Sequence, residues 1–182
     1  MTAKPPEQLL LDRLKTPIGE MLLVFDREGR LRALHWGDHE PRMMDLMRID
    51  DGSGVTLKAG RGPLDAIREL KAYFAGDLAA LDRIECRSGG TVFQQAVWNA
   101  LRVIPPGQTL SYGALAVRLG KPRAMRAVGH ANGANPIPIV IPCHRLIGAD
   151  GSLTGYGGGI ERKRWLLTHE GVELDSRGRT SM

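Results

Sequence analysis

The sequence predicts a mixed α+β protein with two domains: a small N-terminal α/β domain, in which an antiparallel sheet packs on a helix, and a mostly helical, winged-helix-like C-terminal domain with a helix-turn-helix. Three observations support this prediction. Short runs rich in Leu, Val and Phe come first, one amphipathic helix pattern follows, and a series of capped helix patterns fills the second half. We assign residues 1–88 and 89–173 to the two domains and expect residues 174–182 to form a disordered tail.

The N-terminal domain is predicted from apolar runs that alternate with turns. The runs lie at 8–14, 20–26 and 31–36, and segments of turn-forming composition separate them at 16–19 and 27–30. This order indicates an antiparallel meander. Residues 63–75 begin with a proline and carry apolar residues at helical spacing as far as Gly76, which indicates one helix. A polar, glycine-rich linker is predicted at 87–90.

The C-terminal domain is predicted from helix-capping residues. Thr91 and Gln94 have capping-box spacing and open a first helix with one apolar face up to Ile104. Ser111 suits the N-cap of a second helix, and Pro122 suits the first turn of a third. Two short helices across a glycine turn indicate a helix-turn-helix. The second and third helices are expected at 112–119 and 122–133, followed by a buried strand at 139–141, a turn at 150–151 and a last helix at 160–170.

The charge is distributed unevenly along the chain. The net charge is +5 and the isoelectric point is near 9.6. No Asp or Glu occurs between Cys86 and Asp150, although seven basic residues do: Arg87, Arg102, Arg118, Lys121, Arg123, Arg126 and Arg145. A basic surface without acidic neighbours is typical of proteins that bind a phosphate backbone. The alternative is a solvated surface that only keeps the protein soluble.

Composition excludes several classes of protein. With 182 residues and 42% hydrophobic content the chain is long enough to fold. It has no apolar run long enough to span a membrane, and its N-terminus lacks the features of a secretory leader. Cys86 and Cys143 are too few for a disulfide framework. We therefore predict a cytoplasmic protein, with no membrane attachment, whose thiols stay reduced.

The residues around Cys143 carry the most specific signal. Asn135-Pro136 and an apolar run precede Pro142-Cys143-His144-Arg145. This arrangement resembles the O6-alkylguanine-DNA alkyltransferases, also called methylated-DNA-protein-cysteine methyltransferases, and the resemblance covers residues 91–171. Further matching motifs occur in the family's order and spacing: Ser111-Tyr112, Arg126-Ala127-Val128-Gly129, Gly155-Tyr156, Trp165-Leu166-Leu167 and His169-Glu170.

The chemistry of Cys143 can also be argued from the residues. Displacing guanine from a saturated carbon needs a strong, soft nucleophile, which a thiolate provides. A free thiol titrates near pH 8.5 and therefore needs a base, for which His144 is the candidate. Adjacent side chains on a strand point to opposite faces, so the pair must lie on a turn or communicate through a water. The resemblance implies the water, and it implies that Glu170 orients the imidazole. An inert buried thiol is the alternative for Cys143.

The resemblance also implies how the base is bound. Tyr112 would donate a proton or hydrogen bond to guanine N3, and Asn135 would organise the turn before the active-site segment. The carbonyls of Cys143 and Leu146 would face the guanine amino group, and the Gly157 N–H would face O6. Tyr156, next to Gly157, belongs to the same substrate-binding loop. For an isolated tyrosine such as Tyr112, simple packing is the alternative.

The third helix of the C-terminal domain is rich in small residues, which allow a close approach to another surface. Packing against a neighbouring helix is the usual reason for such residues. The resemblance instead implies that this helix lies in the DNA minor groove and that the target nucleotide is flipped out, with Arg126 filling the gap. The residues expected to contact DNA are Ala124, Arg126, Ala127 and Ala131.

Taken together, these features predict single-turnover DNA repair by a monomer. An alkyl group would move from O6 of guanine in double-stranded DNA to Cys143, with O4-alkylthymine as a further candidate substrate. No cofactor is implied, and no metal site is expected, because His35 and His39 have no third ligand nearby. A sensor of alkylated bases that does not transfer the alkyl group and a Cys-His hydrolase are the alternatives.

Overall fold

The computed structural model describes residues 6–51 and 54–181, except for the side chains of residues 48–51. The chain divides into two compact units, Met1–Gly90 and Thr91–Met182. Each unit has its own buried core. None of the helices in the described ranges is long and apolar enough to cross a membrane.

The first unit contains a four-stranded sheet in the order β3-β2-β1-β4. The predicted antiparallel meander is confirmed. Strand β4, which pairs parallel to β1, and helix α1 were not predicted. The elements are β1 (Glu7–Thr16), β2 (Gly19–Phe25), β3 (Leu31–Trp36), α1 (Glu40–Asp51), β4 (Val55–Ala59), α2 (Leu64–Phe74) and a 3-10 helix at Leu78–Arg83. Met43 and Met47 of α1 cluster with Leu22 and Val24 on one face of β2. The alternate residues Met21, Leu23 and Phe25 are buried as well, so the strand is apolar on both faces.

The second unit is mostly helical, as predicted. Its elements are α3 (Val92–Arg102), β5 (Leu110–Ser111), α4 (Tyr112–Arg118), α5 (Met125–Gly133), a 3-10 turn at Cys143–Arg145, β6 (Leu146–Ile147) and α6 (Ile160–His169). The capping box of Thr91 and Gln94 is present, and the Ser111 side chain accepts a hydrogen bond from the Ala114 N–H. The indole N–H of Trp98 donates to the Ala131 carbonyl oxygen (2.8 Å), which ties α3 to α5.

One predicted boundary and one predicted element of this unit are wrong. Helix α5 begins at Met125, because Pro122 lies in a turn that precedes the helix. The apolar run 139–141 is not a strand. Ile139 has a positive φ of 75°, and the Ile141 N–H donates to the Ile137 carbonyl oxygen (2.9 Å), so the run is a tight turn.

The predicted disordered tail is also corrected by the structure. Residues Leu174 and Thr180 form an isolated antiparallel bridge. The Thr180 N–H donates to the carbonyl oxygen of Gly151 (2.9 Å), in the predicted turn at 150–151, and Thr180 is buried. The segment 174–181 is therefore packed within the second unit.

Candidate active site

The segment that carries Cys143 is held by the side chain of Asn135. Asn135 Nδ2 donates to the Ile141 carbonyl oxygen (2.8 Å), and the Ile137 N–H donates to Asn135 Oδ1 (2.9 Å). The carboxamide thus forms a hydrogen bond with the backbone on each side of the turn around Ile139. Pro142 follows, and the chain enters the 3-10 turn in which Cys143 is 5% exposed. The thiol and the imidazole therefore lie on a turn, one of the two arrangements that the sequence left open.

His144 is completely buried and bonded to Glu170. Its Nε2 lies 2.8 Å from Glu170 Oε1, and neither side chain is exposed. A carboxylate only accepts hydrogen bonds, so Nε2 carries the proton, and in the neutral ring Nδ1 keeps a lone pair. Nδ1 is buried and has no hydrogen-bond partner within the described part of the chain. The ring is therefore held in the tautomer that can accept a proton at Nδ1.

Arg145 completes the environment of Glu170. Its Nε donates to Glu170 Oε2 (2.8 Å), its Nη2 donates to Oε1 (2.9 Å), and its Nη1 donates to the Ile104 carbonyl oxygen. The sequence had placed Arg145 in the basic surface that meets phosphate, but Arg145 is 4% exposed. This assignment is corrected: the guanidinium forms a bidentate ion pair inside the unit.

The ionisation of this group of residues follows from burial and partners. Burial acts to raise the pKa of Glu170, but the charge and hydrogen bonds of His144 and Arg145 outweigh it and hold the pKa well below the ordinary value. Burial lowers the pKa of His144, although Glu170 opposes this shift. At neutral pH we therefore expect a carboxylate at Glu170 and a neutral imidazole at His144, which is the form of a general base.

Lys163 was missed by the sequence analysis. Its Nζ is buried and donates to the carbonyl oxygens of Leu146 (2.5 Å) and Thr154 (2.8 Å). It therefore joins the strand after Cys143 to the loop before α6. Burial lowers the pKa of Lys163 to about 8, and the nearby charge of Cys143 opposes this shift. Helical spacing offered a signal, because Lys163 lies on the buried face of α6 two turns before Glu170.

Tyr112, the first residue of α4, also lies near the thiol. Its hydroxyl accepts a hydrogen bond from Thr154 Oγ1 (3.3 Å), which leaves the phenolic proton available to another acceptor. Burial raises the pKa of Tyr112; the hydrogen bond from Thr154 opposes the rise, and the charge of Cys143 adds to it. A Cβ atom at Gly129 of α5 would lie 4.0 Å from Tyr112 Cδ1. Helix α5 therefore lies next to the Tyr112 ring at Gly129, where a Cβ atom would be in ordinary van der Waals contact.

The remaining substrate-binding candidates lie on β6 and on the loop before α6. Leu146 is buried, and its carbonyl oxygen faces Lys163. Tyr156 is half-buried, whereas Gly157 is exposed. Among the described glycines, Gly159 has a positive φ of 92° and Gly157 does not have a positive φ. The backbone at Gly157 therefore does not itself require glycine.

The DNA-contacting candidates do not all lie on the surface. Arg126 and Ala127 are exposed, and Ala124 is half-buried. Ala131 is 3% exposed, and its carbonyl oxygen bonds to Trp98 of α3, so its assignment to the DNA surface is corrected. The exposed basic residues near this helix are Arg118, Lys121, Arg123 and Arg126.

Comparison with known proteins finds relatives that match most of the chain. Residues 92–172 match the family described as 6-O-methylguanine DNA methyltransferase, DNA binding domain. The methylated-DNA–protein-cysteine methyltransferase of Salmonella typhimurium is 50% identical over 168 residues, which cover 92% of this chain and 98% of that protein. The protein of the same name from Mycolicibacterium paratuberculosis is 58% identical over 155 residues, which cover 85% of this chain and 88% of that protein.

Solved structures agree with this relationship. The crystal structure of Mycobacterium tuberculosis OGT in complex with DNA superposes with a TM-score of 0.73 at 41% identity, covering 88% of this chain and 92% of that one. The O6-methylguanine-DNA methyltransferase of Pyrococcus kodakaraensis superposes with a TM-score of 0.67 at 27% identity, covering 90% of this chain and 99% of that one. The chain therefore belongs to the methylated-DNA–protein-cysteine methyltransferase family.

Proposed function

We propose that this chain repairs alkylated DNA by direct reversal, moving one alkyl group per molecule from O6 of guanine to the sulfur of Cys143. The roles of the residues are assigned from one observation. The buried Cys143 is followed on the same turn by a neutral imidazole whose Nε2 proton is fixed by Glu170 and whose Nδ1 is available as a base.

The reaction begins with the thiol. The proton of Cys143 passes to His144 Nδ1 through one water molecule, and Glu170 stabilises the imidazolium that forms. The thiolate attacks the alkyl carbon in line with O6, so that the sulfur–carbon bond forms while the carbon–O6 bond breaks. The electron pair of that bond goes to guanine. Tyr112 donates its phenolic proton to N3, so the base leaves neutral, and the imidazolium proton returns to Tyr112 through solvent. The thioether is stable, which ends the reaction after one turnover.

Double-stranded DNA with an alkylated guanine is the proposed partner. Arg126 is exposed near the start of α5, in a region with three further exposed basic residues. In this proposal α5 lies in the minor groove and Arg126 fills the space of the extruded nucleotide. All groups assigned to the chemistry come from one chain, and a thiolate must stay reduced. We therefore propose a monomer that acts in the cytoplasm.

Intact mass spectrometry after incubation with duplex DNA containing O6-methylguanine tests the proposal. We expect one added methyl group per protein, located on Cys143, and no added mass for Cys143→Ser, because a neutral alcohol is a far poorer nucleophile. The serine variant should keep its DNA affinity. An adduct on Cys86, near-native transfer by Cys143→Ser, or continuing product release without an adduct would refute this assignment.

A further inference from the structure

Met125, the first residue of α5, exposes an apolar side chain to solvent. It is 51% exposed, although methionine is among the residues most often buried. A single exposed apolar residue is common in folded proteins and does not by itself indicate a function. The position of Met125 is more informative than its exposure, because its neighbours are residues assigned above to the alkylated base and to DNA.

Two contacts between α5 and the start of α4 place Met125 near Tyr112. A Cβ atom at Gly113 would lie 3.8 Å from Met125 Sδ, and one at Gly129 would lie 4.0 Å from the Tyr112 ring. Met125 and Gly129 are four residues apart, so they lie on the same face of α5. Arg126 follows Met125 directly and is exposed. Met125 therefore lies next to the tyrosine proposed to contact the base and the arginine proposed to replace it in the duplex.

The surface around Met125 is basic. Four exposed cations lie on α4, on α5 or in the turn between them: Arg118, Lys121, Arg123 and Arg126. The sequence has no Asp or Glu from position 87 to position 149. The charge of this surface is complementary to that of a polyanion such as DNA. A phosphate gains nothing from a thioether, so the parts of DNA that suit Met125 are the sugars and the bases.

Extrusion of a nucleotide unstacks its neighbours in the duplex, which costs free energy. Proteins that bind the minor groove often offset this cost with apolar side chains placed beside the unstacked bases, and methionine is one of the residues they use. Its unbranched, polarisable side chain adapts to irregular surfaces. We propose that Met125 packs its thioether against the nucleotide that flanks the extruded guanine, beside Arg126. In this role, which rests on the proposed function, Met125 stabilises the extruded state by apolar contact and acts before the chemical step.

Two substrates separate extrusion from chemistry. Single-turnover transfer is measured with duplex DNA that contains O6-methylguanine and with free O6-benzylguanine, which needs no extrusion. Met125→Ala removes most of the side chain, Met125→Gln keeps its length but makes its end polar, and Met125→Leu keeps it apolar. Val92→Ala is the matched control, because Val92 is also an exposed apolar residue at the first position of a helix, α3.

We expect Met125→Ala and Met125→Gln to slow transfer from duplex DNA about fivefold, because about half of a methionine side chain loses its apolar contact. The reaction with the free base should change little. Met125→Leu and Val92→Ala should keep the native rate on duplex DNA. The salt dependence of binding to undamaged duplex DNA should stay native in Met125→Ala, since no phosphate contact is lost.

The inference is overturned if Met125→Ala slows both substrates equally, or if it slows neither of them. It is also overturned if Met125→Gln repairs duplex DNA like the native protein, because the apolar end of the side chain would then be unnecessary. Equal slowing of duplex repair by Val92→Ala would overturn it as well. A native protein that forms no adduct with either substrate would instead refute the proposed function.

Discussion

The substitution Glu170→Gln separates the structural and chemical roles of the buried carboxylate. Glu170 accepts hydrogen bonds from His144 and from two nitrogens of Arg145. Glutamine has one oxygen and one NH2 group, so it cannot serve both partners and leaves the Arg145 guanidinium without a counter-charge. Removing one partner of a buried ion pair costs about 3–5 kcal/mol of unfolding free energy. Transfer should slow by a factor of about 10²–10⁴, because the tautomer of His144 is no longer fixed.

Two measurements check these values. The unfolding free energy comes from urea denaturation followed by circular dichroism, and the transfer rate is measured with free O6-benzylguanine, which removes DNA binding from the rate. Glu161→Gln is the matched control, because Glu161 lies on α6 with an 87% exposed side chain and a 3.8 Å ion pair. Its effect on stability should stay within about 0.5 kcal/mol.

A second substitution distinguishes lost charge pairing from lost chemistry. In the double variant Arg145→Met with Glu170→Gln both charges of the buried pair are removed together, so part of the lost stability should return. The transfer rate should stay low, since His144 still lacks its carboxylate partner. The reasoning is refuted if Glu170→Gln unfolds within about 1 kcal/mol of the native protein, or if the double variant regains native transfer.

Three further predictions concern DNA, pH and pocket size. Arg126→Ala should slow repair in duplex DNA far more than reaction with free O6-benzylguanine, since only the duplex needs base extrusion; equal losses would exclude this role. His144 and Glu170 both have lowered pKa values in the folded protein, so the unfolded chain binds protons more readily at each group. The urea concentration at the unfolding midpoint should therefore decrease as the pH drops below about 6.5, and decrease further below about pH 4.5. A midpoint that stays constant from pH 7 to 5 would contradict the assigned neutral imidazole. Gly157→Val should slow transfer from O6-benzylguanine in duplex DNA while methyl transfer changes little, because a side chain there fills space near the alkyl group; equal slowing would indicate a damaged loop.

The parts of the fold that could be predicted are those with local periodic signals. The meander and the capping box of α3 follow from turn composition and from residue spacing. Helix α1 was missed because its described apolar residues Met43, Met44, Leu46 and Met47 are interrupted by charged ones. The run at 139–141 was misassigned because a side-chain contact, and not the apolar composition of the run, decides its conformation. The Asn135 carboxamide bonds on both sides of the turn, and an apolar run alone does not reveal that contact.

The residues of the site could be predicted only where they belong to a motif shared with the family. Cys143, His144 and Glu170 followed from the family resemblance, and the geometry joins two of them directly. Arg145 was taken for a surface cation and Lys163 was not singled out, because charged residues are usually exposed. Their burial depends on partners 25 and 17 residues away, one directly after α6 and one on β6, and single-sequence reasoning cannot bring these segments together.

Several energetically unfavourable features of the second unit lie between residues 132 and 163. Asn132 Oδ1 and His144 Nδ1 are buried without partners in the described residues, Ile139 has a positive φ, and Lys163 is a buried cation. Each of these features lowers stability, and proteins usually keep such features where function requires them. In the proposed function, proton transfer uses Nδ1 of His144. Removing one of these features should therefore stabilise the unit: Asn132→Leu should unfold at the native temperature or above it, because the substitution takes away a buried acceptor that has no partner in the described residues.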